Sequence, residues 1–328
     1  MSICRRIKYL SASCFILSLA ASFSAHAQAQ LYPNKSVRVL VGFPIGGAAD
    51  AVGRIIGPHL AAAGGQSFVI DNRPSAGGNL ASELTANAKA DGYTLLMIAT
   101  SHATNAGLTA NLPYHPTNSF ATVALMASVP QVLVVGNNVP AKSVTELIAL
   151  AKARPGKLNF GSGGNGAATH LVAELFKSMA NVNIVHVAYK GVGFAIIDII
   201  GGQIEIAFSS LPAAMSQIRT NRVRALAVTS ARRSRLMPEL PTIAEAGVLG
   251  YEATGWTGML APAGTPPAIV AQLNKEINAA LKLPDVVAAL AAQGAEPEAS
   301  TPKEFDRYLR EEVTKWTRVI REASIIAN

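Results

Sequence analysis

Three glycine-rich segments stand where chemistry could be done with backbone atoms alone. Gly46-Gly47 precedes Asp50, Gly77-Gly78 precedes Leu80, and Gly161-Ser162-Gly163-Gly164-Asn165-Gly166 precedes Thr169. Glycines ahead of a helix expose N–H groups at the positive end of the helix dipole, so each segment reads as a cradle for an anion. A tight turn is the plainer reading of any one of them. Three alike are harder to treat that way.

Other chemistries fit less well. Gly161, Gly163 and Gly166 satisfy the dinucleotide pattern G-x-G-x-x-G, but the stretch 186–194 that should carry the ribose-binding acid has no Asp or Glu. No G-x-S-x-G elbow, Walker loop or H-E-x-x-H motif occurs. His102 and His170 lie near predicted loops, and a triad using Ser101 or Ser162 stays open because triad members meet only in space. His59, His115 and His186 read as structural or surface histidines without metal-ligand spacing, so neither a metal nor a cofactor is expected.

The elements that must position these loops alternate β-branched runs with helical ones, an α/β rhythm. Strands are expected at 37–43, 67–71 and 93–99. The first helix, 50–63, should be interrupted near Gly57-Pro58, and a further helix covers 80–88. The rhythm restarts after Pro130. Strands are expected at 132–135, 158–160, 184–187, 204–208 and 225–228, with helices at 144–153, 168–179, 194–200 and 213–220. A return strand at 251–260 and two amphipathic helices, 268–281 and 302–323, follow. In open α/β sheets ligands sit at the carboxyl ends of strands, where all three glycine loops fall. Two similar lobes are implied, residues 28–131 with 254–328, and residues 132–253.

The 328 residues suffice for two such lobes, and 50% hydrophobic with 15% charged residues excludes a disordered chain. Arg5, Arg6 and Lys8, the apolar run 9–23 and Ala25-His26-Ala27 read as a signal peptide, residues 1–27, cleaved after Ala27. Cleavage changes the formal charge from +8 to about +5. It also removes Cys4 and Cys14, so cysteine chemistry is excluded from the mature chain. Ser11-Ala12-Ser13 before Cys14 offers a rival lipoprotein reading. The remaining cations are dispersed, with Arg232, Arg233 and Arg235 the only tight cluster, so nucleic-acid binding is not expected, while a basic surface suits an anionic ligand.

At the loops the sequence resembles the Bug, or TctC-like, receptors of tripartite tricarboxylate transporters. The resemblance rests on Val41-Gly42-Phe43-Pro44-Ile45-Gly46-Gly47-Ala48-Ala49-Asp50 with Arg54, and on Asp71-Asn72-Arg73-Pro74-Ser75-Ala76-Gly77-Gly78-Asn79. Asp91-Gly92-Tyr93, Asn159-Phe160-Gly161-Ser162-Gly163 with His170-Leu171, Tyr189-Lys190-Gly191, Gly201-Gly202-Gln203 and the run 240–247 extend it over the mature chain. It implies a type II periplasmic binding-protein fold, two α/β lobes with a ligand cleft between them, and a carboxylate pinched between backbone amides. Carried over by position, Phe43, Gly46, Gly47 and Asp50, with Ala76, Gly77, Gly78 and Ser101, form one wall. Ser162, Gly163, Thr169, His170, Tyr189, Lys190 and Gly191 form the other. Asp50 has a second reading as a carboxylate that complements the helix dipole, Tyr189 as core packing, and Lys190 as a surface residue. Arg54, one turn beyond Asp50, is expected to point away. Ser75, Ala188 and Ser209 depart from the family pattern; Ser209 replaces a frequent Asp, which makes an amino acid a poorer ligand.

The expected function is therefore a periplasmic receptor that closes on a small organic carboxylate and delivers it to transporter membrane subunits or a sensor. It is expected to act as a monomer. The rival is an exported hydrolase using a serine and a histidine at the same cleft. Protein recovered from the periplasm should begin at Gln28 on N-terminal sequencing; a lipid on Cys14 would overturn the cleavage site.

Overall fold

The computed structural model describes residues 32–325, so the expected signal peptide lies outside the described residues. Strand β1 (Val37–Val41) leads through a glycine loop into α1 (Ala48–Gly64), β2 (Phe68–Asn72) into α2 (Asn79–Ala86), and β3 (Thr94–Ala99) into α3 (Ser101–Leu108). β1 lies between β2 and β3 with all three parallel, Val39 facing both Ile70 and Leu95. All three following loops therefore emerge on one edge of the sheet. Pro58 does not interrupt α1. A proline removes one helix hydrogen bond, and burial of Val52, Ile56 and Leu60 along one face outweighs that loss.

The sheet continues through β4 (Phe120–Val129), which Pro130 separates from β5 (Gln131–Gly136). The second sheet comprises β5, β6 (Asn159–Ser162), β7 (Val185–Ala188), β8 (Ile206–Ser210) and β9 (Val223–Val228) in the order β7-β6-β8-β5-β9. Here β6 is parallel to β7 and β8, whereas β5 runs antiparallel to β8 and β9. Its helices are α4 (Val144–Ala153), α5 (Ala168–Ala180), α6 (Val192–Ile200) and α7 (Leu211–Arg219). The chain then returns to the first sheet as β10 (Gly255–Pro262), antiparallel to β3 and β4. Helices α8 (Pro267–Ala280) and α9 (Pro284–Ala292), the short β11 (Glu296–Pro297) and α10 (Pro302–Glu322) complete it. The first sheet has the order β11-β4-β10-β3-β1-β2. α3, β4, α9 and β11 are elements the sequence pattern did not reveal.

Helix α10 begins at a capping box in which Thr301 and Glu304 exchange bonds. It buries Phe305, Leu309, Trp316, Val319 and Ile320 against α3, β4 and α5. On the same face the Glu312 carboxylate accepts from both Trp256 Nε1 (2.7 Å) and Trp316 Nε1 (2.8 Å) and pairs with Lys315, which satisfies a charge that burial alone would penalise. One continuous core takes in Leu40 and Leu96 from the first sheet, Leu133, Phe160 and Phe208 from the second, and Trp256 and Trp316.

His102 belongs to this packing rather than to a triad. It is 1% exposed, and its ring stacks on Tyr114 and meets Phe120 edge-on. Nε2 lies 2.8 Å from the Pro116 carbonyl, which can only accept, so Nε2 carries the proton and Nδ1 takes the Ser82 hydroxyl. Burial, against the raising effect of the Pro116 bond, pulls its pKa down to about 4. Between pH 6.5 and 4 the unfolded chain thus binds a proton that the folded chain refuses. Stability should fall as pH drops through that window, by up to about 1.4 kcal/mol per pH unit. Calorimetric melting from pH 7 to 4 should show a shallower decline in His102→Gln, which keeps an acceptor for Ser82 and a donor for Pro116. An unchanged slope would contradict this assignment.

Candidate functional site

The loop after β1 is organised by Asp50. Its carboxylate is 1% exposed, accepts from the Gly46 amide (2.9 Å) and Asn72 Nδ2 (2.8 Å), and holds Arg54 Nε at 3.0 Å from both oxygens. Burial opposes its charge, but the Arg54, Gly46 and Asn72 bonds outweigh burial and hold the carboxyl below its usual range. Asp50, expected to line the ligand wall, has its carboxylate buried and committed to these three partners. Arg54, expected to point away, turns back and also donates to Asn72 Oδ1 (2.9 Å). Asn72 Nδ2 further donates to the Phe43 carbonyl (3.0 Å). Phe43 and Gly47 are half-buried and Gly46 is exposed, with φ +85°.

The loop after β2 makes a turn at Ala76–Gly78, with positive φ at Gly77 (+61°) and Gly78 (+83°). It lies directly on the first loop: a Cβ at Gly42 would fall 2.4 Å from Gly78 Cα. The Gly77 carbonyl accepts from Asn105 Nδ2 (2.9 Å) and Ser101 Oγ (3.2 Å), which brings in α3. Asn79 Oδ1 takes Asn105 Nδ2 and the Tyr114 hydroxyl, both at 2.7 Å. Phe43, Gly46, Gly47, Ala76, Gly77, Gly78 and Ser101 therefore sit on converging loops. Asn72, Asn79 and Asn105 are the organisers that the sequence reading missed, two of them within the motif that carried the resemblance.

In the second sheet the loop after β6 satisfies its own amides with side chains. Gly163 N–H donates to Thr169 Oγ1 (2.8 Å), Gly164 N–H to Ser162 Oγ (3.1 Å) and Gly166 N–H to His170 Nδ1 (3.1 Å). The Gly163 amide, expected to face a ligand, is committed within its loop. Ser162 is fully buried and His170 is 4% exposed. His170 stacks on His186 with centroids 3.7 Å apart and planes at 9°, and Ser162 Oγ lies 2.6 Å from His186 Nε2. Glu174 sits 3.6 Å from His170 Nε2 and 2.9 Å from Lys177 Nζ.

The serine partner is thus His186, which the sequence reading placed among structural residues. Burial and the neighbouring His170 and Lys177 pull the His186 pKa down to about 4, Glu174 opposing them. The Ser162 hydroxyl has no exposed surface, and its bonds to His186 and the Gly164 carbonyl tie the loop to β7.

The loop after β7 folds onto the same place, Tyr189 N–H donating to the Ser162 carbonyl (3.1 Å). Tyr189 donates its hydroxyl to Asp198 Oδ2 (2.7 Å); burial and then Asp198 push the phenol up to about 12. Lys190 is exposed, and Gly191 caps α6 at φ +141°. A Cβ at Gly163 would sit 3.4 Å from Thr169 Oγ1 and 3.5 Å from the Val192 amide, so the missing side chain leaves a gap between the first turns of α5 and α6. In the same loop the Cβ position of Gly166 is 3.9 Å from Leu108 at the end of α3, so this loop adjoins a helix of the first sheet. Among the described residues no cluster of His, Cys, Asp and Glu could hold a metal, and no helix is long and apolar enough to cross a membrane.

The chain is similar to known proteins in sequence and in fold. The family model described as tripartite tricarboxylate transporter family receptor, TctC, matches residues 52–325. Protein BugT of Bordetella pertussis is 37% identical over 309 residues, 94% of this chain and 95% of that protein. Among solved structures, Rpa4515 of R. palustris with adipate is 38% identical with a TM-score of 0.71, covering 90% of this chain and 99% of its own. MatC of Rhodopseudomonas palustris with bound malate is 31% identical with a TM-score of 0.67, covering 88% and 100%. The fold is that of these binding proteins, two α/β sheets with their helices, and the chain belongs to the TctC family, whose members are transporter receptors and not enzymes.

Proposed function

We propose that this chain is an exported periplasmic receptor that holds a small organic carboxylate between the loops of its two sheets. In this reading it delivers the ligand to transporter membrane subunits or to a sensor. The observation that carries it is the gap at Gly163: two helix first turns, α5 and α6, bound a space that a side chain would fill. Backbone N–H groups at helix starts favour an anion, each charge-assisted bond contributing about 1.5–3 kcal/mol. The structures of similar proteins with adipate and malate support a carboxylate as that anion.

The proposed walls are Phe43, Gly46, Gly47, Ala76, Gly77, Gly78 and Ser101 on one side, and Gly163, Thr169, Tyr189, Lys190 and Gly191 on the other. Asp50, Ser162 and His170 act from behind them by fixing loop shape. The lobes 28–131 with 254–328 and 132–253 would close about the two chain crossings, as a monomer released from its signal peptide at Ala27.

An added Cβ at Gly163 meets only contacts of 3.4–3.9 Å, so substitution there tests the ligand space, with circular dichroism to check that Gly163→Val stays folded. Titration calorimetry with a carboxylate panel, adipate and malate included, should find a ligand whose affinity falls at least 100-fold in Gly163→Val. Lys190→Ala should cost about tenfold, or 1.4 kcal/mol, if this exposed cation only adds long-range attraction. Small-angle scattering should show compaction at saturation. Normal binding by Gly163→Val with none by Lys190→Ala would replace the amide cradle by an ion pair, and turnover of any bound compound would overturn the receptor reading.

A further inference from the structure

Among the described residues, five buried side-chain atoms have no hydrogen-bond partner: Gln131 Oε1, Gln217 Oε1, Thr257 Oγ1, Glu276 Oε2 and Asn278 Oδ1. Gln217 lies on α7 and Glu276 and Asn278 on α8, within helices that flank the sheets. Gln131 and Thr257 lie inside the two sheets, where the chain crosses between them. Gln131 opens β5 one residue after Pro130, and Thr257 pairs with Ala99, the last residue of β3 before α3.

Gln131 is the more telling of the two. It is 6% exposed and faces Ser210, the last residue of β8 and the N-cap of α7, so it marks the edge where β6 and β8 deliver their loops. Alternation puts its side chain on the face of Leu133 and Val135, which are wholly buried, opposite Phe208 and Ile206. That face packs with Leu171, Leu175 and Phe176 of α5. An apolar row thus ends, at the edge where α5 begins, in a carboxamide.

The Gln131 backbone is fully used: its N–H donates to Thr229 Oγ1 (3.0 Å) and its carbonyl accepts from Thr229 N–H (2.9 Å). The side chain is not. A buried acceptor without a donor destabilises the protein, and an aliphatic residue would continue the row without that penalty.

We propose that Gln131 is a specificity-determining residue whose carboxamide oxygen accepts a hydrogen bond from a hydroxyl group on the bound carboxylate, so that the site favours hydroxy acids over their unsubstituted analogues. The inference rests on the carboxylate-receptor reading. An ammonium is the other donor that could reach an amide oxygen. The neighbours in register, Ser210 and Thr229, are neutral, so a buried cation would lack a counter-charge there, whereas a hydroxyl needs none. A site built around such a bond rejects the analogue lacking it, because binding that analogue leaves the buried polar group unpaired.

The test is titration calorimetry with matched pairs, malate against succinate, lactate against propionate and 3-hydroxybutyrate against butyrate, on the mature protein and on Gln131→Met, which keeps the length of the side chain without its acceptor. The hydroxylated member of the best-bound pair should bind wild type at least tenfold more tightly, and Gln131→Met should reduce that ratio to within twofold while leaving the unsubstituted member's affinity unchanged. Without ligand, Gln131→Met should melt at or above the wild-type temperature. A preference that survives in the variant, the absence of any preference in wild type, or a lowered melting point would overturn the assignment while the carboxylate reading stands. No binding by any carboxylate would overturn both.

Discussion

The first half of the site depends on one buried carboxylate. Asp50 collects donors from the loop before it, from the helix it belongs to and from the end of β2, and Arg54 balances its charge. Asp50 occupies the first turn of α1, where the helix dipole favours an anion. Because Asn72 bridges this carboxylate and the Phe43 carbonyl, the loops after β1 and β2 share one geometry. Only then can Gly42 approach Gly78 so closely that a Cβ at Gly42 would run into the Gly78 backbone, while Gly78 itself holds a positive φ that favours glycine. A buried charge of this kind is costly when unpaired, so each donor in the set is constrained by the others.

The second sheet reaches a comparable geometry without a charge facing its loop amides. Thr169, Ser162 and His170 each take one amide of the loop after β6, and the His170–His186 stack seats these acceptors against Phe160. The nearest ion pair, Glu174 with Lys177, lies a turn further along α5. The consequence is electrostatic. In the first sheet the carboxylate is neutralised within its own loop, and in the second the loop is held by neutral groups. In the proposed reading, the attraction for an anion then rests on the helix starts and the dispersed basic surface.

The sequence displayed the alternation of strands and helices, the glycine loops at strand ends and the pairing of two α/β halves, because these follow from local patterns. It concealed β4, whose Ala, Thr and Ser positions dilute the strand signal until β10 and β11 pair with it. It concealed α9, a short helix that opens with Pro284 and follows α8 closely. At the site it identified the loops but not how each side chain is used. Arg54 seemed to leave the loop because its direction depends on Asn72, eighteen residues away. His186 was read as structural and His170 as lining the site, and both belong to one stack, a relation set by the register of β6 on β7 with Phe160 beside His186. Contacts made through tertiary register leave no periodic trace in the chain.

The two crossings between the sheets differ from the rest of the interior in how they are joined. Elsewhere the layers meet through apolar packing, and one core runs through both. At the crossings the ties include a few hydrogen bonds: a reciprocal pair between Gln131 and Thr229, Ala253 N–H to the Thr229 carbonyl, and Trp256 N–H to Thr100 Oγ1. Thr100 is the N-cap of α3 and Thr229 follows β9, so these ties attach the crossings to a helix start in the first sheet and a strand end in the second. Hydrogen bonds are directional where dispersion contacts are not, so a bend there rotates a few bonds while the packed faces keep their neighbours. The same place carries the polar atoms of Gln131 and Thr257 that the protein leaves unpaired. Ligand contact and relative movement of the two halves would then be settled by the same few residues.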